Sequence, residues 1–264
     1  MFTAHFKMDH QPFLERAPAD SIQCDERLSQ GLARLKYLSE AGSIGLVTGQ
    51  TGVGKSSLIR LFVHSLSPNR FRPVYLSLTH VGTSGSLLKL LVRTLGETPR
   101  RGKERLFLQI LEKVEKSEHT TLLIVDEAHL TPSEALTDLR LLVSSGLDDA
   151  PSLKILLSGQ DELRHALKQA SHADLVGRIS VRYRVPPFTA EQTASYIDFQ
   201  MKRAGVSEKI FEEEAKRLVH DYASGIPRQV NSYATACLLN AASRNLQKVS
   251  EALVNETASE FHLP

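Results

Sequence analysis

The stretch Gly49-Gln-Thr-Gly-Val-Gly-Lys-Ser56 decides the fold of this 264-residue chain. It fits the pattern G-x-x-x-x-G-K-[ST] at every fixed position. The apolar run Ile44–Thr48 precedes it, and the amphipathic segment Ser56–Leu66 follows it. A strand that turns through glycines into a helix directs backbone N–H groups and the positive end of the helix toward one point, where phosphate oxygens bind. The sequence therefore predicts a nucleotide-phosphate loop.

The loop also predicts individual nucleotide contacts. Lys55 is expected to neutralise the β- and γ-phosphates of ATP, and the Ser56 hydroxyl is expected to ligate Mg²⁺. The other predicted contacts belong to the loop and the first turn of the helix: Gly49, Gln50, Thr51, Gly52, Val53, Gly54 and Ser57. The alternative is a glycine-rich turn with an exposed lysine, which the flanking strand and helix disfavour.

Four further apolar runs predict the rest of a sheet. They are Val74–Leu78, Leu122–Asp126, Leu153–Ser158 and Ile179–Val185, and the last has arginines at alternate positions, as an edge strand does. Helical patterns separate the runs, and this alternation predicts a parallel sheet covered on both faces. After Pro187 only helical patterns remain. We therefore expect an α/β nucleotide-binding domain with an N-terminal extension over residues 1–187 and an all-helical domain over residues 188–264.

Composition and charge narrow the function classes. Hydrophobic residues make up 41% and charged residues 23%, as in ordinary globular proteins. The net charge is only +2, so affinity for nucleic acid would require a local basic surface. Cys24 and Cys237 are far apart and form no zinc-ligand spacing, which favours a reducing, cytoplasmic setting. The N-terminus does not resemble a secretory signal, and no apolar run reaches the roughly 20 residues of a membrane helix. We expect no membrane contact.

Two adjacent carboxylates, Asp126 and Glu127, follow the buried run Leu122–Val125. The carboxyl ends of parallel strands share one edge of a sheet, so both carboxylates are expected near the phosphate loop. Asp126 is expected to hold Mg²⁺ through water, and Glu127 to polarise the water that attacks the γ-phosphate. A solvated acidic turn is the alternative. The tetrapeptide 126–129 also occurs in one class of helicase, but that class needs a second RecA-like domain, for which the chain is too short.

Three more polar residues occur at informative places. Ser158 ends a predicted strand at the same sheet edge, within reach of a γ-phosphate or an attacking water. Arg178 lies just before the fifth strand, and Arg228 follows Gly225-Ile-Pro227 at the start of a helix. Taken alone, each of these arginines is expected to be an ordinary surface residue.

The order of these features resembles that of the AAA+ ATPases. The closer resemblance is to the branch that holds the ExeA-type secretion ATPases and the transposon target-selector ATPases of the TnsC, TniB and MuB kind. It covers nearly the whole chain and is carried by these segments: Phe6, Pro12-Phe13, Gly49–Ser56, Leu123–Ala128, Gly159–Leu163, Gly177–Tyr183 and Ser224–Arg228. The resemblance implies an AAA+ phosphate-loop NTPase with a five-stranded parallel sheet and a C-terminal all-helical lid.

The resemblance also implies roles for the polar residues. Ser158 stands at the sensor 1 position, where many AAA+ proteins have asparagine. Arg178 would be the arginine finger that reaches the neighbouring subunit's nucleotide, with Arg182 as the alternative. Arg228 would be the sensor 2 arginine, which contacts the γ-phosphate of its own subunit. A finger supplied in trans implies a homo-oligomer, either a ring or a helical filament.

Compact chains of this branch resemble helper proteins of mobile elements. Such helpers assemble on double-stranded DNA with ATP, select target DNA, recruit or activate a transposase, sometimes with a separate target-selector protein, and disassemble on hydrolysis. In that family the DNA-facing surface lies between the second and third strands. The corresponding residues here are Thr79, His80, Thr83, Arg100, Arg101 and Lys103. A solvated basic loop is the alternative for this region.

Two other functions stay open from the sequence. An ExeA-type secretion or cell-envelope ATPase is the first, although such relatives continue after the lid into a membrane helix, whereas this chain ends at Pro264. A binding module that uses ATP only as an assembly switch is the second. Glu127 argues against it, because a carboxylate suited to activating water is present.

Overall fold

The computed structural model describes residues 2–14, 18–78, 82–144 and 153–261. They form two compact units. The α/β unit contains residues 26–51 and the described part of 55–185. The helical unit contains the described residues up to Asp25, the three residues Gly52–Gly54 and the described residues from Pro186 onward.

The α/β unit contains the predicted parallel sheet. Within the described residues its five strands are β1 (Ile44–Thr48), β2 (Phe71–Ser77), β3 (Thr120–Asp126), β4 (Leu153–Gly159) and β5 (Ile179–Arg184), in the spatial order β2-β3-β4-β1-β5. All neighbouring strands run parallel. The three central strands are almost entirely buried, as their continuous apolar runs require, whereas the two edge strands alternate between buried and exposed residues. The fold is that of an AAA+ phosphate-loop NTPase.

Helices follow most of the strands and form the second unit. In chain order they are α1 (Phe2–His5), α2 (Glu26–Glu40), α3 (Lys55–Ser65), α4 (Ser84–Thr94), α5 (Lys103–Glu115), α6 (Ser133–Ser144), α7 (Asp161–Leu167), α8 (Ala173–Arg178), α9 (Ala190–Arg203), α10 (Glu213–Ala223), α11 (Pro227–Ser243) and α12 (Glu251–Phe261). Sequence periodicity predicted the longer helices to within a few residues at each end. It missed α1, α7 and α8, because segments of four to seven residues are too short to show a helical period.

The central strand β4 contains a buried lysine. Lys154 is only 5% exposed, and its ammonium donates hydrogen bonds to the backbone oxygens of Leu38 at 3.1 Å and Gly42 at 2.6 Å. These two residues lie at the end of α2, where backbone oxygens lack helical partners and favour a nearby positive charge. Burial lowers the pKa of Lys154. The lysine therefore serves as a cap for α2 from inside the unit.

The N-terminal segment packs in the helical unit, which differs from the predicted grouping of residues 1–187. Phe2, Phe6, Met8 and Phe13 are buried in one apolar cluster with residues of α9 to α12. The ring of Phe13 meets that of Phe211 edge-on, with centroids 6.5 Å apart. The Asp9 N–H also donates to the Ala204 oxygen at 2.9 Å. Local sequence patterns give no information on a partner some 200 residues away, so the grouping could not be derived from them.

Helix α9 begins with a capping box. The Thr189 hydroxyl accepts the Gln192 N–H at 3.2 Å, and the Gln192 side chain accepts the Thr189 N–H at 3.0 Å. We expect Thr189→Ala to lower the free energy of unfolding by about 1 kcal/mol, because one N-terminal N–H loses its acceptor. Chemical unfolding measures this change. Ser195→Ala, at an exposed position inside the same helix, is the matched control, and an equal loss there would contradict the capping explanation.

Candidate nucleotide-binding site

The phosphate loop lies between β1 and α3, as predicted. Gly49, Gly52 and Gly54 all have positive φ angles, of 149°, 85° and 108°. Side chains rarely adopt these conformations, so the loop needs glycine at these places. Lys55, only 7% exposed, extends back along the loop, and its ammonium donates to the oxygens of Gly49 at 2.9 Å and Gln50 at 3.0 Å. The charge is thus held at the loop that would surround the phosphates.

Arg228 lies beside the tip of the loop within the helical unit, which includes Gly52–Gly54. Its backbone N–H donates to the Gly52 oxygen at 3.3 Å. A Cβ on Gly52 would approach the Arg228 Cβ to 2.8 Å, so close contact at this point requires glycine. Gly225, which precedes the helix of Arg228, has a φ of 65°, and a Cβ there would lie 2.3 Å from the Phe188 oxygen. The segment Gly225–Arg228 is therefore fixed by backbone contacts on both sides.

Asp126 ends β3 and is 5% exposed. One carboxylate oxygen, Oδ1, accepts the Glu127 N–H at 3.0 Å, and the other, Oδ2, accepts the Tyr75 hydroxyl at 2.5 Å. Burial, followed by this hydrogen bond, raises the pKa of Tyr75, so its hydroxyl remains a protonated donor. The sequence analysis missed Tyr75. The only available signal was the position of Tyr75 in β2, the strand beside β3. It lies two residues before Ser77, which pairs with Asp126.

Glu127 adopts a left-handed backbone conformation, with φ of 57° and ψ of 35°. Such a conformation costs about 1 kcal/mol or more for a residue other than glycine. The residue begins a short 3₁₀ turn, Ala128–Leu130, and its side chain is 40% exposed. Its Oε2 lies 3.4 Å from His129 Nδ1. The turn thus directs the Glu127 carboxylate away from the buried strand while keeping it next to Asp126.

Ser158 lies in β4, between the strand of Asp126 and the strand that leads into the phosphate loop. It pairs with Val47 and is fully buried. Its hydroxyl has no hydrogen-bond partner among the described residues. A buried hydroxyl without a partner costs about 1 to 3 kcal/mol, so the site favours a ligand or water that supplies one.

The residues at this edge fit a nucleotide with Mg²⁺. Within the described residues no three His, Cys, Asp or Glu side chains converge as a metal site made by protein alone. Mg²⁺ commonly uses one or two protein oxygens together with phosphates and water. The predicted ligands, the Ser56 hydroxyl at the start of α3 and the Asp126 carboxylate, are oxygen donors of that kind. The unpartnered Ser158 hydroxyl adds a polar group at the same edge of the sheet.

The two candidate finger arginines differ in their contacts. Arg178 is the last residue of α8, exposed, and within the described part of the chain its guanidinium makes no hydrogen bond or ion pair. Arg182 lies in β5, and its Nη2 donates to the Val176 oxygen at 2.7 Å. The next arginine, Arg184, forms two hydrogen bonds with Asp161, at 2.8 and 3.2 Å. Arg178 is thus the arginine of this group whose side chain is available to a second molecule.

The predicted DNA-facing residues are only partly brought together. Thr79 and His80 lie outside the described residues. Thr83 is the N-cap of α4, where its hydroxyl accepts the Ser86 N–H. Lys103 forms ion pairs with Glu134 at 2.6 Å and Asp138 at 3.0 Å, and these carboxylates raise its pKa. Its charge is therefore already neutralised within the chain.

Two arginines of the predicted basic loop stay exposed. Arg101 makes no hydrogen bond or ion pair with any described residue. Arg100 lies 4.0 Å from Glu112, a long ion pair between exposed side chains, which contributes little. The pair Arg100 and Arg101 is what remains of the predicted basic patch.

The parallel sheet, its strand order and its phosphate loop have the fold of AAA+ phosphate-loop NTPases. Residues 38–167 match the family model described as "AAA domain". Over these residues, just under half of the chain, the sequence is similar to AAA-family ATPase domains.

A curated relative and solved structures agree with this result. The chain is 28% identical over 267 residues to "General secretion pathway protein A" of Aeromonas hydrophila, and the match covers 98% of this chain but 48% of that protein. The fold resembles the ORC2 protein of Aeropyrum pernix, with a TM-score of 0.73, 17% identity and coverage of 96% of this chain and 72% of that one. It also resembles Drosophila ORC bound to DNA, with a TM-score of 0.70, 20% identity and coverage of 100% and 66%. At such identities the structural matches establish the fold.

The described helices of both units differ in length and apolarity from a membrane span. None of them is both long enough and apolar enough to cross a bilayer.

The hydrogen bond between Tyr75 and Asp126 leads to a testable expectation. Tyr75→Phe removes the donor that fixes Asp126 Oδ2 and keeps the ring. Loss of such an outer partner of a metal ligand typically costs about 10- to 100-fold in metal affinity. We expect the Mg²⁺ concentration needed for half-maximal nucleotide turnover to rise by about tenfold. Titration of Mg²⁺ at fixed nucleotide measures this, with Tyr37→Phe, an exposed tyrosine of α2, as control. An unchanged Mg²⁺ dependence would show that Tyr75 does not orient Asp126.

Proposed function

We propose that this chain is an ATPase that hydrolyses ATP to ADP and phosphate and couples hydrolysis to its own assembly. The observation that carries the proposal is that four polar side chains lie at the same edge of the sheet. Lys55 lies at the loop, Asp126 and Glu127 lie at the end of β3, and the unpartnered Ser158 hydroxyl lies in the strand between them. In this reading Lys55 balances phosphate charge, Ser56 and Asp126 hold Mg²⁺, and Glu127 accepts the proton of the attacking water. Arg228 contacts the γ-phosphate of its own subunit.

The proposed assembly follows from Arg178. Its exposed guanidinium makes no hydrogen bond or ion pair among the described residues, and the resemblance assigns it to the nucleotide of a neighbouring subunit. A site completed by a neighbour requires head-to-tail contacts, which close into rings or grow into helical filaments. ATP would then stabilise the assembly, and hydrolysis would release it.

We further propose that the assembly forms on double-stranded DNA and serves transposition, by selecting target DNA and recruiting or activating a transposase. The AAA+ fold shared with ORC bound to DNA supports the DNA part of the proposal. The exposed pair Arg100 and Arg101 supplies a small positive patch, and an oligomer would repeat it in every subunit. Many weak phosphate contacts then add, with strong salt dependence and little sequence preference.

A secretion or cell-envelope ATPase of the ExeA type is the second candidate. The similarity to General secretion pathway protein A, over 98% of this chain, favours it. That similarity covers 48% of the relative, so this chain spans about half of that protein's length. Under this candidate the partner is a membrane or envelope protein, and DNA leaves both assembly and hydrolysis unchanged.

Electron microscopy of the purified protein separates the two candidates. The protein is imaged with and without duplex DNA, each with no nucleotide, with ATP and with a slowly hydrolysed analogue, at low and moderate salt. Rings or filaments that need both nucleotide and DNA support the transposition proposal. Assembly with nucleotide alone, with no DNA binding and no change of ATPase rate on DNA, would overturn it and favour the secretion candidate.

A further inference from the structure

His129 connects two elements at the edge of the sheet that carries the proposed catalytic carboxylate. It lies in the 3₁₀ turn after Glu127, and its side chain is 12% exposed. On one side its Nε2 lies 3.2 Å from the amide nitrogen of Gln160, the residue after β4. On the other side its Nδ1 lies 3.4 Å from Glu127 Oε2. The imidazole thus lies between Gln160 and the Glu127 carboxylate.

The contact with Gln160 determines where the imidazole carries its proton. An amide nitrogen is only a donor, so His129 Nε2 must be the acceptor. A neutral imidazole that accepts at Nε2 carries its hydrogen at Nδ1. That N–H is the group 3.4 Å from the Glu127 carboxylate. Gln160 therefore makes His129 a donor toward Glu127.

The Nδ1 donor is buried and has no hydrogen-bond partner among the described residues. The separation of 3.4 Å from Glu127 Oε2 is long for a hydrogen bond. An unpaired buried donor costs about 1 to 3 kcal/mol, so a small shift of the carboxylate toward Nδ1 is favoured. Catalytic hydrogen bonds are often long in the free enzyme and shorten when substrate binds.

The backbone around His129 is tightly held, which makes the arrangement suitable for positioning. Gly159 precedes Gln160, and a Cβ on it would lie 3.1 Å from the His129 backbone nitrogen and 3.1 Å from a Leu163 side-chain carbon. The end of β4 and the 3₁₀ turn are therefore in close contact. In contrast, the Glu127 side chain is 40% exposed. A fixed donor beside an exposed carboxylate can favour one of its staggered rotamers over the others.

We propose that His129, oriented by Gln160, is a positioning residue that holds the Glu127 carboxylate in the orientation needed to activate water. This inference rests on the proposed ATPase function. A misplacement of about 1 Å in a catalytic group costs about 10²-fold in rate. Loss of His129 is therefore expected to slow hydrolysis and to leave ATP binding unchanged.

The test compares three variants at this position and its partner with a control. His129→Ala is expected to lower kcat by about 10- to 100-fold with KM for ATP within about twofold of wild type. His129→Asn places an amide N–H near the position of Nδ1 and is expected to recover at least part of the rate. Gln160→Ala keeps the imidazole but frees its tautomer, and an intermediate loss is expected. His119→Ala, before the catalytic end of β3, is the matched control and is expected to behave as wild type.

A double variant tests whether the effect passes through Glu127. In the Glu127→Gln background, where the carboxylate is gone, His129→Ala is expected to cause no further loss in single-turnover hydrolysis. An equal loss in both backgrounds would overturn the positioning role, because the histidine would then act by another route. A normal kcat for both His129→Ala and Gln160→Ala would also overturn it. If Glu127→Gln abolishes turnover in that case, the proposed ATPase function still stands. If Glu127→Gln itself hydrolyses ATP normally, the proposed function fails, and this inference fails with it.

Discussion

Arg178→Ala is expected to lose ATP turnover by about 10³- to 10⁵-fold while each subunit still binds nucleotide, because fingers supplied in trans contribute about that much in phosphate-loop enzymes. Under the proposed function, the exposed Arg178 guanidinium, which makes no hydrogen bond or ion pair among the described residues, would provide the positive charge that the transferring phosphoryl group needs. Steady-state ATPase rates measure the loss, and binding of a fluorescent nucleotide checks that the site is intact. Arg93→Ala, an exposed arginine of α4, is the control.

Mixing experiments show whether the arginine acts in trans. Lys55→Ala lacks nucleotide binding but keeps Arg178, and Arg178→Ala has the opposite defect. A mixture of the two is expected to regain activity, since one variant's arginine can complete the other's site. Arg182→Ala is expected to lose less, because that guanidinium is already bonded to the Val176 oxygen. Normal hydrolysis by Arg178→Ala would show that the finger assignment is wrong.

Glu127→Gln is expected to bind ATP normally, to lower turnover by about 10²- to 10⁴-fold and to accumulate in the assembled state. Glutamine keeps the size of the side chain but cannot accept the proton of the attacking water, a step of general-base catalysis worth about this factor. Hydrolysis assays measure the rate, and sedimentation with ATP measures the assembly. Glu118→Gln, an exposed residue before β3, is the control. Release of the Glu127→Gln assembly at the wild-type rate would contradict a role of hydrolysis in disassembly.

The sheet and the nucleotide loop could be predicted because their signals are local. A continuous apolar run indicates a buried strand, and eight consecutive residues, Gly49–Ser56, define the loop. Because the strands are parallel, their carboxyl ends lie at the same edge of the sheet. The predicted parallel topology was therefore enough to predict that Asp126, Glu127 and Ser158 lie at the same edge of the sheet.

The remaining features depend on contacts that no local pattern encodes. Tyr75 reaches Asp126 from a neighbouring strand, 51 residues earlier in the chain. His129 and Gln160 meet only because β3 and β4 end side by side. Lys103 belongs to a basic loop in the sequence, yet Glu134 and Asp138 of α6 neutralise it in the fold. Charge along the sequence therefore overestimated the positive surface.

The packing of the first residues against the last helices sets an order of events during synthesis. Phe6 and Phe13 bury their rings in a cluster that includes Phe211 and Val254. At the usual ribosomal rates of about 5 to 20 residues per second, these aromatic side chains leave the ribosome roughly 10 to 50 s before their partners. The α/β unit is complete in the chain by Val185, so it can fold during that interval. The aromatic segment therefore stays without its partners in the nascent chain until Phe211 and Val254 have been synthesised, and exposed apolar segments of this kind are what chaperones bind.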